Sequence, residues 1–173
     1  LAMLKDGVLN DPKPDVVLGL HLWTPLPIGV LGVAEGPVMS GCSVFRVVVQ
    51  GKGGHAAMPF TTNDPVVCTA QLINALHALV GRKVNMMDGV AVLSVTSVVT
   101  SSTATNVIPD HVEIRGTFRT FDTQTSQLIE QQINAISQTI CQTWGCTAEV
   151  AVTHQTIPVI NDSEVTARVR RIF

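Results

Sequence analysis

Between residues 43 and 155 the chain alternates strand-like and helix-like segments in an order that leaves few folds open: strand, helix, strand, strand, helix, strand. "SVFRVVVQGK" and "GVAVLSVTSVVT" are β-branched runs, and "TAEVAVTHQ" closes the series. "HVEIRGTFRTF" alternates strictly. Val112, Ile114, Gly116 and Phe118 share one face, while Glu113, Arg115, Thr117 and Arg119 share the other. The first helical segment, "TNDPVVCTAQLINALHALVGRK", opens with Asn63 or Asp64 as cap and Pro65 at its first position. Its expected end is Gly81, and its expected buried stripe is Val66, Ala70, Ile73, Leu76 or His77, and Val80. The second, "DTQTSQLIEQQINAISQTICQTWG", carries Ile129, Ile133, Ile136, Ile140 and Trp144 and ends at Gly145. One apolar stripe per helix places both helices on the same face of one sheet. The prediction is therefore an α+β fold of the ferredoxin-like βαββαβ kind: a four-stranded antiparallel sheet with two helices on one face.

The flanks read differently. "DVVLGLHLW", residues 15–23, is a nearly continuous apolar run, the pattern of a strand buried on both faces. "TPLPIGVLGVAEGPVMSG" spaces its prolines and glycines as in a turn, a short strand and a connection. The chain starts on what reads as a helix tail. It stops within "NDSEVTARVRRIF", a helix capped by Asp162 or Ser163, which predicts a piece of a longer protein.

Composition narrows the function classes. Among 173 residues the net charge is −2, no basic block occurs, and tyrosine is absent, so neither a phosphate-tracking patch nor a stacking platform for nucleic acid is built in. The apolar runs fall short of the roughly 20 residues that a spanning helix needs. Cys42, Cys68, Cys141 and Cys146 form no CxxC pair and predict reduced, mostly buried thiols, hence a cytoplasmic location. Phosphate-loop, dinucleotide, GxSxG and HExxH patterns are all missing.

A few residues carry candidate chemistry. His21 lies near the end of the expected buried strand, where open α/β sheets present ligand groups, and imidazole is a common metal ligand. The alternative is a hydrogen-bonded core histidine. His55 follows "GKGG", a turn that would present the side chain at a surface, unless it is a plain solvated loop residue. Asn106 in "TNVIPD" is a turn asparagine or a ligand to a polar group. Arg119 either grips a carboxylate or pairs with a neighbouring acid across the sheet. His77, His111 and His154 read as structural or surface residues.

Taken together, "GLHLW", "GKGGHAAMP", "TNVIPD" and "RGTFRTF" resemble, in order and along almost the whole chain, the dinuclear-zinc amidohydrolases of the aminoacylase class. That class includes hippurate hydrolase, N-acyl-amino-acid amidohydrolases and auxin-conjugate hydrolases. The resemblance implies a catalytic α/β domain interrupted by a lid or dimerisation domain. Residues 1–41 would then be the end of the first catalytic segment, 42–155 the lid, and 156–173 the return into the catalytic domain. It implies that His21 is a metal ligand. It also implies that His55 helps stabilise the oxyanion, often in the partner subunit's site, and that Asn106 and Arg119 hold the substrate's amide oxygen or carboxylate. Two zinc ions, or manganese or cobalt, are implied, with most ligands and the general base outside this chain. The small-molecule substrate would be an N-acyl amino acid, the protein a homodimer through the lid, and this piece alone inactive. A dipeptidase or desuccinylase of the same superfamily is an alternative, as is a non-catalytic ferredoxin-like dimerisation module. Two departures from the family pattern stand out: Phe60 where a histidine is usual, which bears on substrate preference, and Ser101-Ser102 where two glycines are usual.

Overall fold

The structure, a computed structural model, describes residues 2–85, 87 and 89–173. The chain divides into two compact units, one formed by Leu1–Gly36 with Asn161–Phe173 and the other by Pro37–Ile160. In chain order the elements are α1 (Ala2–Lys5), β1 (Gly36–Met39), β2 (Gly41–Gln50), β3 (Gly54–His55), α2 (Pro65–Lys83), β4 (Ala91–Thr100), β5 (Val107–Ile108), β6 (His111–Thr120), α3 (Thr123–Thr143), β7 (Thr147–Thr156), β8 (Val159–Asn161) and α4 (Ser163–Ile172). The lid boundaries 42–155 expected from the pattern lie inside the 37–160 unit, which also takes in most of the β1–β8 ladder.

The 37–160 unit is built on a four-stranded antiparallel sheet in the order β4-β6-β2-β7, with α2 and α3 packed on one face. This is the expected ferredoxin-like arrangement. Alternation along β2 and β6 sends Phe45, Val47, Val49, Val112, Ile114 and Phe118 into the core under the helices. Opposite them Leu72, Leu76, Leu79, Ile129 and Ile133 are fully or almost fully buried. Gly116 sits directly across from Phe45 in the β2–β6 register. A Cβ there would collide with the Phe45 ring and the Ser94 carbonyl. The aromatic ring thus occupies the space that the missing side chain leaves.

Asp64 caps α2, its side chain accepting from the Val66 N–H at 2.8 Å, and Pro65 takes the first helical position. The face that α2 buries shares only Leu76 with the expected one. Pro65, Cys68, Thr69, Leu72, Leu76 and Leu79 are buried, whereas Val66 and Ala70 are exposed and Ile73 and Val80 lie at the margin. Gln71, Asn74 and His77 lie on one exposed side of the helix, and the buried face is the one opposite them. Nor does Gly81 end it, since helical bonding continues to Lys83. In α3 the buried line is Thr125, Ile129, Ile133, Ser137 and Cys141, with Ile136, Ile140 and Trp144 flanking it.

Three cysteines meet in this core. The Cys68 and Cys141 sulfurs are 3.6 Å apart, tying α2 to α3. Burial pushes the Cys68 thiol up to about 12 and Cys146 up to about 11, so both stay protonated and unreactive at neutral pH. All four cysteines are free and buried.

The expected strand at residues 15–23 is not formed. That segment is irregular and exposed, with Leu20 and Leu22 at 83% and 87% exposure. A strand buried on both faces needs hydrogen-bonded neighbours on both edges, and among the described residues none pairs with it. In the same unit Asp162 caps α4, and Arg170 donates to the Val33 carbonyl at 3.1 Å.

Gly116→Ala is expected to destabilise the 37–160 unit by about 1–3 kcal/mol through overpacking against Phe45. A lowered denaturant midpoint checks this, and the double change Gly116→Ala with Phe45→Leu is expected to recover part of the loss.

Candidate active site

Two loops at one end of the sheet are laced together. After β2 the chain turns through Gly51, Lys52 and Gly53 into the two-residue strand β3, which pairs antiparallel with β5. Gly54 faces Ile108 and His55 faces Val107 in that ladder, and the Ala56 N–H donates to the Asn106 carbonyl at 3.0 Å. His55 and Asn106, 51 positions apart in sequence, are therefore neighbours. The glycines make this approach feasible. A Cβ on Gly53 would strike the Ile108 carbonyl and Pro109, and one on Gly51 would strike the Asn63 carbonyl. No glycine in the turn has a positive φ, so close backbone packing is what these positions require.

The His55 ring has a defined orientation. Its Nδ1 accepts the Ala57 backbone N–H at 3.0 Å, so the neutral imidazole carries its proton on Nε2. That Nε2–H lies on an exposed side chain and, among the described residues, is a donor without a partner. Asn106 is likewise exposed, and among the described residues its carboxamide has no hydrogen-bond partner. Phe60 lies in the short 3-10 turn Pro59–Thr61 that follows, 84% exposed.

Arg119 is elsewhere. It stands opposite Cys42 and Val92, while the histidine-bearing turn leaves the sheet at the other end, where Gln50 faces His111. Eight residues of β6 separate the two ends, about 27 Å at the usual strand rise. The open face between them carries an ion network. Glu113 accepts from Arg115 Nε at 2.6 Å and from Arg46 Nε at 2.6 Å, and Arg46 also reaches Glu149 at 3.6 Å. The hydrogen bonds from Arg115 and then Arg46 hold the Glu113 carboxyl below its ordinary range. Arg119 takes no part in this network, and among the described residues it has no carboxylate partner. The cross-strand pairing considered for Arg119 belongs to Arg46 instead, while Arg115 pairs with Glu113 on its own strand.

His21 lies in the exposed irregular segment of the other unit, not in a buried strand. Its Nδ1 is 2.6 Å from the Leu22 carbonyl, and its ring meets Trp23 edge-on at 6.0 Å between centroids. A carbonyl only accepts, so Nδ1 carries the proton and Nε2 offers a lone pair, the tautomer of a metal-ligating imidazole held by a backbone carbonyl. Among the described residues no group of three His, Cys, Asp or Glu is placed to hold a metal ion. His21 fits as one ligand of a site and cannot form a site by itself. Two of the other histidines are structural: His77 Nε2 accepts from Val95 N–H at 3.3 Å, and His154 links Ser43 at 2.8 Å to Glu130 at 3.0 Å.

Sequence reasoning missed the anchors of the two loops. Ser101 Oγ accepts from the N–H groups of Asp110 and His111 at 3.1 and 3.2 Å, and Ser102 Oγ accepts from Ala104 N–H at 3.2 Å. The departure from the glycine pair of the aminoacylase pattern thus supplies two hydroxyl acceptors. The serine-rich string before Asn106 was the available signal.

A four-stranded antiparallel sheet with two helices on one face defines the 37–160 unit as a ferredoxin-like module. Residues 40–144 match the family described as peptidase dimerisation domain, and the chain belongs to that family. It is 40% identical to an N-acyl-L-amino acid amidohydrolase of Geobacillus stearothermophilus, over 94% of this chain and 43% of that protein. It is 34% identical to thermostable carboxypeptidase 2 of Saccharolobus solfataricus, over 99% of this chain and 43% of the relative. Among solved structures, a dinuclear metal binding peptidase of the M20 family from Bacillus subtilis superposes with a TM-score of 0.73 at 30% identity, covering 97% of this chain and 42% of that one. The chain spans less than half the length of these relatives.

Long-range proton–nitrogen correlation spectra of the chain are expected to show neutral His55 as the Nε2–H tautomer. The Nδ1–H pattern would contradict the Ala57 contact.

Proposed function

We propose that this chain is the lid, with flanking catalytic-domain segments, of a metal-dependent amidohydrolase that cleaves N-acyl amino acids into an amino acid and a carboxylic acid. The observation that carries this reading is the fixed His55 tautomer: an exposed imidazole N–H donor stands on one of two loops joined by a β-ladder, and the Asn106 carboxamide stands on the other. Amide hydrolysis builds negative charge on the carbonyl oxygen, and preorganised donors aimed at that oxygen lower the barrier. Bound metal, zinc, manganese or cobalt, would supply the activated water, with His21 as one ligand beside others from outside this chain. Arg119, without an acid partner among the described residues, is suited to grip the substrate carboxylate in a bidentate pair. The four free thiols favour a reducing compartment, the cytoplasm. No described helix is long and apolar enough to cross a membrane. Similarity to a carboxypeptidase favours peptide hydrolysis as a second reading, and comparing N-acetyl amino acids with dipeptides as substrates separates the two.

The separation along β6 supports a homodimer in which His55 and Arg119 of one copy serve different sites. Edge strand β4 is the suited interface. Its sequence, AVLSVTSVVT, has no charge, and Val92, Val98 and Val99 are more than half exposed, whereas edge strand β7 carries Glu149 and His154.

In the complete enzyme, His55→Ala is expected to lower kcat about 10²–10³-fold with metal content unchanged. His21→Ala is expected instead to lower bound metal, read by atomic absorption. Mixing His55→Ala with Arg119→Ala subunits is expected to restore about a quarter of wild-type activity, because half of the dimers contain one intact site. Recovery would be absent if both residues served the same site. Val98→Lys is expected to abolish that recovery and to shift the protein to monomers in sedimentation.

A further inference from the structure

Asp110 joins the two loops with every polar group it has. Its carboxylate Oδ1 accepts the Gly53 N–H at 3.0 Å, within the turn that leads to His55. Its carbonyl accepts the Gly51 N–H at 2.8 Å and the Gln50 side-chain amide at 3.1 Å. Its own N–H donates to Ser101 Oγ at 3.1 Å, at the start of the loop that carries Asn106. Pro109, just before it, is buried against Gly53. β3 and β5 pair over only two residues each, too short a ladder to fix its own register. The bonds to Asp110 sit immediately outside that ladder and determine where it lies.

We infer that Asp110 is a positioning residue: its carboxylate clamps the Gly53 amide and so sets His55 Nε2 relative to the Asn106 carboxamide. The inference rests on the proposed role of His55 and extends it to a residue that touches no substrate. The chemistry requires an acceptor at Oδ1 and does not require a charge. Asparagine, which keeps a carbonyl oxygen at that position, preserves the clamp, and alanine removes it. Because the effect passes through His55, it disappears once His55 is gone.

The test uses the complete metal-loaded enzyme with N-acetyl-L-methionine and N-acetyl-L-cysteine as substrates. Asp110→Ala is expected to lower kcat about tenfold to a hundredfold, the scale of a displaced catalytic group, with KM and metal content little changed. Asp110→Asn is expected to retain most of kcat. Exchange protection of the Gly53 amide is expected to be lost in the alanine variant and kept in the asparagine variant. The double variant His55→Ala, Asp110→Ala is expected to be no slower than His55→Ala alone. Wild-type kcat for Asp110→Ala, equal loss in the asparagine variant, or additive losses in the double variant would each overturn the inference. If His55→Ala itself turned over normally, the proposed function would fail first, and the exchange data would still report whether the clamp exists.

Discussion

Antiparallel pairing of β2 with β6 over ten consecutive residues is the contact on which the rest of the 37–160 unit depends. Strand side chains alternate with a period of two, so a slip of one residue would turn Phe45, Val47 and Val49 to solvent and Arg46 and Val48 to the helices. Phe45 over Gly116 pins the register from the core side, because no other residue of β6 leaves room for the ring. The same register sets Arg46 opposite Arg115, a like-charge pair that would be unfavourable alone. Glu113 accepts from both guanidiniums and resolves the conflict. The depressed Glu113 carboxyl contributes stability that is present at neutral pH and is lost as pH falls through its folded-state value.

From that sheet the polar groups without partners follow. The rigid strand β6 holds Arg119 at one end and the loops bearing His55 and Asn106 at the other. The ions in the middle of the open face satisfy one another, leaving free donors at its extremities. A surface so arranged is suited to meet ligand groups at its ends.

The alternation of β6 and the cap-proline start of α2 were legible because they are local: a period of two, and an aspartate followed by proline. What failed also had local causes. Residues 15–23 have the composition of a buried strand, but composition cannot supply the neighbours that a strand must bond. The face of α2 was misread because the expected stripe followed apolar spacing alone, whereas Gln71, Asn74 and His77 mark the outward side and the buried face lies opposite them. At the site, the residue types could be read and their grouping could not. Nothing in the spacing of His55 and Asn106 announces a shared ladder, and nothing in that of Arg119 and Asn106, thirteen positions apart, announces a separation by the length of a strand. The role of Ser101 and Asp110 depends on backbone amides, which every residue possesses and no sequence marks.

The β1–β8 ladder has a consequence of another kind. One compact unit is a continuous stretch of chain, and the strand by which the chain enters it pairs with the strand by which it leaves. A module whose two ends already touch can be spliced into a host loop without forcing that loop apart. Such a unit can be joined to a host at one point without rearrangement of its own sheet.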